Sequence, residues 1–408
     1  MSTLHAPDFP EEAIRLRARL GTAAAFPERA DYGHTLFGAT AYEPADLIDQ
    51  WRLVPPVFVP RRLEKLIDLG REPVYPDVEL ATEIGGFLAR LPVYVSAFGP
   101  STDLGVAISA AAARAGVPMV IGEDNGTGPD VLLAQLRAYV EQAPRGLGGV
   151  VVQQATEDAD AEIWNLTYSD PTATALLDTG RLAFELKLGQ GAKPGLGAMT
   201  VVPAETDTNG YTVDETFGTD VVRSGSPGTY TDEILRQQIR LMRNNYPRVR
   251  IWVKLPPARD VGVAAAVAWA AGANAVTIDG AEAGTGWAPL GFMDHVGLPL
   301  AECLRRIGAP QGGLLASGRM WSGPRAVKTL AMGATAIGLG RAALIAADED
   351  RQSGLERLLE CLALELKLLI SALGKYTPAA LGGEDIWLPN GGMPSGQRGA
   401  RSHEYPYG

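Results

Sequence analysis

Cysteine is scarce. The chain holds two, Cys303 and Cys361, and no CxxC pair occurs. A zinc ribbon or a dithiol redox motif is thereby excluded, and a reducing cytoplasm is the natural setting. Long apolar runs are missing as well. The richest stretch, VGVAAAVAWAAGANAV, is mostly Ala and Gly and is flanked by Asp260 and Asp279, so it reads as a buried helix leading into a strand. The N-terminal MSTLHAPDFPEEAIRLRARLG is charged and has no apolar signal-peptide core. A cytoplasmic location and no membrane partner are expected. A basic excess is also lacking: 36 Lys and Arg stand against 47 Asp and Glu, a net charge of −11. Nucleic acid is therefore not an expected partner. Small anions can still be held locally, because backbone N–H groups and single cations act at short range.

What is present is a core. Hydrophobic residues make up 46% of the 408, enough for one large domain or several ordinary ones. The 48 glycines are scattered, which removes collagen-like and low-complexity readings. Residues 1–91 mix short helical patterns with Pro-rich turns and read as an extension packing on the main body. From residue 92 onward, short apolar runs alternate with helical patterns, the signal of βα units. Strands are expected at 92–97, 118–122, 148–154, 182–189, 250–255, 273–280, 312–318 and 334–340. Helices are expected at 103–116, 129–142, 157–165, 231–245, 261–272, 295–307 and 323–333, with a long one at 352–374.

Eight such units over residues 92–346 match the size of a (β/α)8 TIM barrel. The strands are near-continuous apolar runs, as required when both faces are buried. A doubly wound sheet is the competing architecture, but it keeps its phosphate glycines after the first strand. Here the densest Gly loops follow strands four, six, seven and eight. The stretch 190–230 is too long for an ordinary βα loop and is assigned as an active-site insertion. Residues 347–408 form a C-terminal helix and a Gly/Pro-rich tail expected to wrap the surface.

In a barrel, function sits at the C-terminal ends of the strands. Strands seven and eight end in SGR (Ser317, Gly318, Arg319) and GLGR (Gly338 to Arg341, with Gly340). Two adjacent Gly-bearing loops, each with an arginine and a following helix start, suit a phosphate dianion; tight turns alone are the alternative. Strand five carries Lys254 in an apolar run. It is either a snorkelling side chain or an ammonium beside developing negative charge, and the anionic edge of a reduced flavin fits the second reading. Strand six ends in IDGAEAGTGWAP, with Asp279, Glu282 and the turn Gly284, Thr285, Gly286. Strand two ends with Glu123, strand three with Gln153 and Gln154, and strand one with Ser96 and Ala97. After strand four comes LGQGAKPGLGAM, where Gln190 and Lys193 sit in a loop with few other side chains.

These segments together resemble a known family. ELKLGQGAKPG, the block from VKLPPARD to FMDHVGLP, and GLLASGRMWSGPRAVKTLAMGATAIGLGRAALIA look like the FMN-binding synthase domain of glutamate synthase over about residues 92–346. The resemblance implies a (β/α)8 barrel with FMN at its mouth and hydride transfer from reduced flavin to 2-iminoglutarate. By position it places FMN phosphate at Gly318, Arg319, Gly340 and Arg341. Ser96, Ala97 and Gln154 come near the ring, Lys254 faces the flavin, Gln190 and Lys193 lie on the substrate side, and Glu123 takes the family's loop glutamate.

The departures redirect that expectation. The family's complete enzymes hold a [3Fe–4S] cluster on three cysteines after the last strand, whereas only Cys361 follows here, so no iron–sulfur cluster is expected. The glutaminase domain has no counterpart, so ammonia channelling is not expected within these residues. In GAKPGLGA, Leu196 replaces a carboxylate and Ala198 a glycine; in DGAEAGTG, Asp279 and Ala281 replace serine and histidine; Trp287 stands where the family has a small residue. Sites built on buried polar contacts discriminate strongly, so a substrate other than glutamate is expected. The expectation is an FMN-dependent oxidoreductase acting at the C–N bond of a small amino or keto acid. An external electron-transfer partner and a homo-oligomer complete it. A stand-alone glutamate synthase subunit fed with ammonia, and a flavin oxidase or isomerase, are the alternatives. His295 and the two cysteines read as packing residues.

Overall fold

The computed structural model describes residues 4–32, 34–36, 38, 44–57, 73–98, 102–122, 129–156, 162–206, 208, 211–225, 230–285 and 287–389. Eight parallel strands close into a barrel in chain order: β1 (Val93–Val95), β2 (Met119–Ile121), β3 (Val150–Ala155), β4 (Leu182–Lys187), β5 (Arg250–Leu255), β6 (Ala275–Asp279), β7 (Gly313–Ser317) and β8 (Ala336–Leu339). Closure runs through the β8–β1 and β4–β5 pairs. The doubly wound alternative is thereby removed. Alternation along each strand sends one residue set into the lumen and the other against the helices. Val150, Val152, Ile251 and Val253 join the large outer core, while Val151 and Trp252 face inward.

The bottom of the lumen is plugged by part of the N-terminal extension. A hairpin of Thr82–Ile84 and Phe87–Ala89 places Ile84, Phe87 and Ala89 among Tyr94, Val120, Val151, Ala183, Trp252, Ala275, Leu315 and Ala336. Its turn, Gly85 (φ 55°) and Gly86 (φ 98°), touches the barrel directly. Trp252 Nε1 donates to the Gly85 carbonyl at 3.0 Å, and a Cβ on Gly85 would fall 2.5 Å from that nitrogen. Only glycine supplies both the positive φ and the clearance.

The helices show two differences from the sequence expectation, and one has a local cause. The helix expected at 295–307 is two, Leu290–His295 and Leu300–Ile307, so His295 ends a helix rather than starting one. Gly297 at φ 104° and Pro299 break the run. The helix expected at 157–165 is Ile163–Ser169, and 157–161 lie outside the described residues. The insertion is a three-stranded antiparallel sheet, with Asp220–Gly225 between Gly197–Pro203 and Thr212–Phe217. At the other end of the chain, Ile386–Trp387 pairs with Arg52–Leu53, and the helix Glu11–Leu20 packs on Gly354–Ala372. Among the described residues, no helix is long and apolar enough to cross a membrane.

Candidate active site at the barrel mouth

Two residues above the apolar plug, each strand presents its next inward position: Ser96, Gly122, Gln153, Glu185, Lys254, Thr277, Ser317 and Gly338. The apolar floor therefore gives way to a polar layer whose side chains are almost wholly buried. Buried polar groups need partners, and Gln153, Glu185, Lys254, Thr277 and Ser317 have them. Glu185 accepts from the Gln153 amide and, at 2.7 Å, from the Thr277 hydroxyl. At the end of β6, Asp279 lies 3.2 Å from the Lys254 ammonium and accepts from the Ser317 hydroxyl and, at 3.1 Å, from the Gly191 N–H.

Burial pushes the Glu185 carboxyl above its ordinary value of 4.5, against the pull of Lys254, Thr277 and Gln153. The folded protein then binds the extra proton more tightly than the unfolded chain. The group's stabilising contribution is fully present below the ordinary carboxylate range and is lost as pH rises through the raised value. Glu185→Gln keeps an acceptor for Thr277 and removes the charge. It should raise stability near pH 8 by on the order of 1 kcal/mol and flatten the decline of the thermal midpoint between about pH 5 and about pH 8. Melting curves across that range check it; parallel profiles for wild type and variant would contradict the assignment.

The loops after β7 and β8 gather the second feature. Arg341 opens the helix Arg341–Glu349 behind Gly340, where an added Cβ would meet nothing within 4 Å. Its Nη2 donates to the Glu282 carbonyl at 2.7 Å, and its guanidinium lies 4.3 Å from the Phe9 ring. Burial, with the nearby Arg319 charge, pulls the Arg341 guanidinium down to about 10. No carboxylate among the described residues pairs with Arg341. Arg319 sits at a positive φ of 53°, donates to the Asp8 carbonyl, and has its Nε 4.0 Å from Asp46. Gly284 is the floor under Arg341, since a Cβ there would fall 2.8 Å from its Cδ. Two adjacent cations beside an open helix N-terminus form a site shaped for an anion.

The third feature is the loop after β4. Gly191 packs so closely on the β6 loop that a Cβ would come 2.3 Å from Ala283 Cβ. Gln190 Nε2 reaches Thr285 Oγ1 at 3.2 Å, and Thr285 donates to the Trp287 carbonyl. Lys193 Nζ donates to the Met199 carbonyl at 2.8 Å, tying this loop to the insertion sheet. On the middle strand of that sheet Arg223, opposite Thr200, is buried; its guanidinium lies 4.5 Å from the Tyr211 ring. The Arg223 Nε has no hydrogen-bond partner among the described residues.

The structure thus gathers Ser96, Lys254, Gly284, Thr285, Ser317, Gly318, Arg319, Gly338, Gly340, Arg341, Gln190 and Lys193 around one mouth, with Ala97 against the inner cluster. Gln154 differs: it shares the parity of Val150 and Val152, on the helix side, and its buried Oε1 has no hydrogen-bond partner among the described residues, whereas Gln153 faces the lumen. Glu123 and Gly286 lie outside the described residues. Cys303, pushed up to about 12 by burial, and Cys361, pushed up to about 11, are both buried thiols. Sequence reading missed Glu185 and Arg223. For Glu185 the signal was available: in LAFELK, charge at every second position marks the lumen face.

A family model described as a conserved region in glutamate synthase matches residues 98–351. An archaeal-type glutamate synthase (NADPH) of Dehalococcoides mccartyi is 34% identical over 183 residues, 42% of this chain and 36% of that protein. The archaeal glutamate synthase (NADPH) of Methanocaldococcus jannaschii is 34% identical over 182 residues, 40% of this chain and 34% of that protein. The matched stretch is about a third of the length of those relatives. Among solved structures, a soluble mutant of (S)-mandelate dehydrogenase from Pseudomonas putida superposes with a TM-score of 0.56 at 19% identity, covering 93% of this chain and 99% of that one. A sulfite-bound flavocytochrome b2 variant gives 0.56 at 17% identity, covering 88% and 83%. At such identities the likeness is one of fold.

Proposed function

The chain belongs to the glutamate synthase family, and on that premise we propose that it is an FMN-dependent oxidoreductase acting at the C–N bond of an amino or imino acid other than glutamate. The observation that carries this reading is the anion site at the mouth. Arg341 is half-buried beside Arg319 with no carboxylate on it among the described residues, and Gly340 leaves its side open. A flavin phosphate fits that cradle, and Lys254, Ser96 and the polar layer line the approach to it. FMN, when bound there, supplies two-electron hydride exchange with a substrate α-carbon.

The chain's own residues do the rest. Arg319, Arg341 and the helix N-terminus at Gly340 hold the phosphate. Lys254 places positive charge where the reduced cofactor is anionic. Lys193 and Arg223, brought to the same strand of the insertion from two sides, hold the substrate carboxylate. Half-buried Leu196 and Trp287 give the pocket an apolar side where the family has polar or small residues, which favours a less polar substrate than glutamate.

The test is direct. Purified protein should carry or take up FMN, seen as a flavin spectrum and a released mass. A panel of amino acids should then bleach it anaerobically, with apolar side chains ahead of glutamate. Protein that stays colourless with added FMN would sink the reading.

A further inference from the structure

The Asp279 carboxylate gathers donors from three separate elements at the mouth. Its carboxylate is 3.2 Å from the Lys254 ammonium of β5, receives the Ser317 hydroxyl of β7, and receives the Gly191 N–H of the substrate-side loop at 3.1 Å. The three donors come from three elements, so one carboxylate fixes the height of Lys254, the start of the β7 loop and the Gln190–Lys193 segment together. Both members of the ion pair are buried, where charges are poorly screened.

Resting on the flavin reading above, we propose that Asp279 is a positioning residue that compensates the Lys254 charge and so lowers the tendency of the bound flavin to be reduced. The reasoning concerns sign. Taking up two electrons and one proton leaves FMN as an anion, which a nearby ammonium stabilises and a nearby carboxylate opposes. Of the other ionisable groups on this face, Glu185 and Tyr94 are pushed by burial towards their neutral forms, and the buried Lys187, beside Lys254 in the β4–β5 register, is the same in wild type and variants. Asp279 therefore offsets part of the Lys254 charge that the cofactor would feel, and removing the carboxylate would leave that charge less compensated.

The experiment measures midpoint potentials of FMN-loaded protein, by equilibrium reduction against a dye of known potential. Asp279→Asn keeps the size and an acceptor and removes the charge. It should favour reduction at least tenfold, about 30 mV for a two-electron couple. Lys254→Met, which leaves the carboxylate uncompensated, should shift the equilibrium the other way by a similar factor. The double variant should return within about twofold of wild type. A wild-type protein that binds no FMN overturns the flavin reading and this inference with it. FMN-bound single variants with unchanged potentials overturn the inference alone. If Asp279→Asn does not fold, Lys254→Met and the double variant decide by the same two values, since a merely structural role for Asp279 predicts no opposed shifts.

Discussion

Replacing Arg341 with alanine should raise the Kd for FMN by about two orders of magnitude while leaving riboflavin binding nearly unchanged. The expectation rests on an imbalance already in the protein. The guanidinium is half-buried, is pulled down to about 10 by desolvation and by Arg319, and has no carboxylate among the described residues. Two like charges held together in a poorly solvated place cost stability unless an anion joins them. A phosphate dianion relieves that cost, and truncating one partner of a buried charged contact typically loses about 2–5 kcal/mol. Arg341→Lys should recover little, because an ammonium cannot reproduce the planar fork that meets two phosphate oxygens. Without ligand, Arg341→Ala should be no less stable than wild type, since it removes repulsion. Fluorescence titration with FMN and riboflavin separates the outcomes. Equal losses for both flavins would show that Arg341 shapes the pocket rather than the phosphate site, and a change under about threefold would remove the phosphate from this place.

The barrel was legible because its strands obey a strong constraint. Runs such as RIWVKL and GGVVVQQ are buried on both faces, so they stay apolar and stand out against the helical stretches between them. The glycine loops after β7 and β8 were legible for a related reason, since tight turns at strand ends need glycine and each carries its arginine within the same few residues. What stayed hidden was decided by contacts distant in sequence. The hairpin that plugs the lumen is two three-residue strands whose only local mark is Gly85–Gly86; it is fixed by Trp252, far along the chain. Gln153 and Gln154 are the same residue type side by side, and only the barrel's inside and outside tell them apart. Asp279 looked like a departure from a serine; its meaning appears once Lys254 is seen 3.2 Å away.

Arg223 was hidden for the same reason, and its replacement is the second large effect. Arg223→Ala should raise the substrate concentration for half-maximal flavin reduction by about 10²-fold, with FMN affinity unchanged. The residue sits on the middle strand of a polar insertion whose burial cannot be read from composition. In the structure it is buried, its guanidinium rests 4.5 Å from the Tyr211 ring, and its Nε has no partner among the described residues. A guanidinium in that position is expensive unless something negative completes it. Across the sheet it faces Thr200, next to Met199, whose carbonyl holds the Lys193 ammonium. The two cations thus reach one strand from a loop and a neighbouring strand that are separate in sequence, and the prediction is that a substrate carboxylate bridges them. The substrate's own carboxylate supplies the control. If Arg223 holds it, converting that carboxylate to an amide should weaken wild type by nearly the same factor as the mutation, and the amide should not distinguish wild type from variant. Arg223→Lys should recover part of the loss, since charge is kept and the fork is not. Anaerobic flavin-reduction rates over substrate concentration report the split: a higher half-saturation value with an unchanged limiting rate marks a binding contact. An unchanged half-saturation value would leave Arg223 as a prop for Tyr211 and the insertion sheet, and the carboxylate would fall to Lys193 alone.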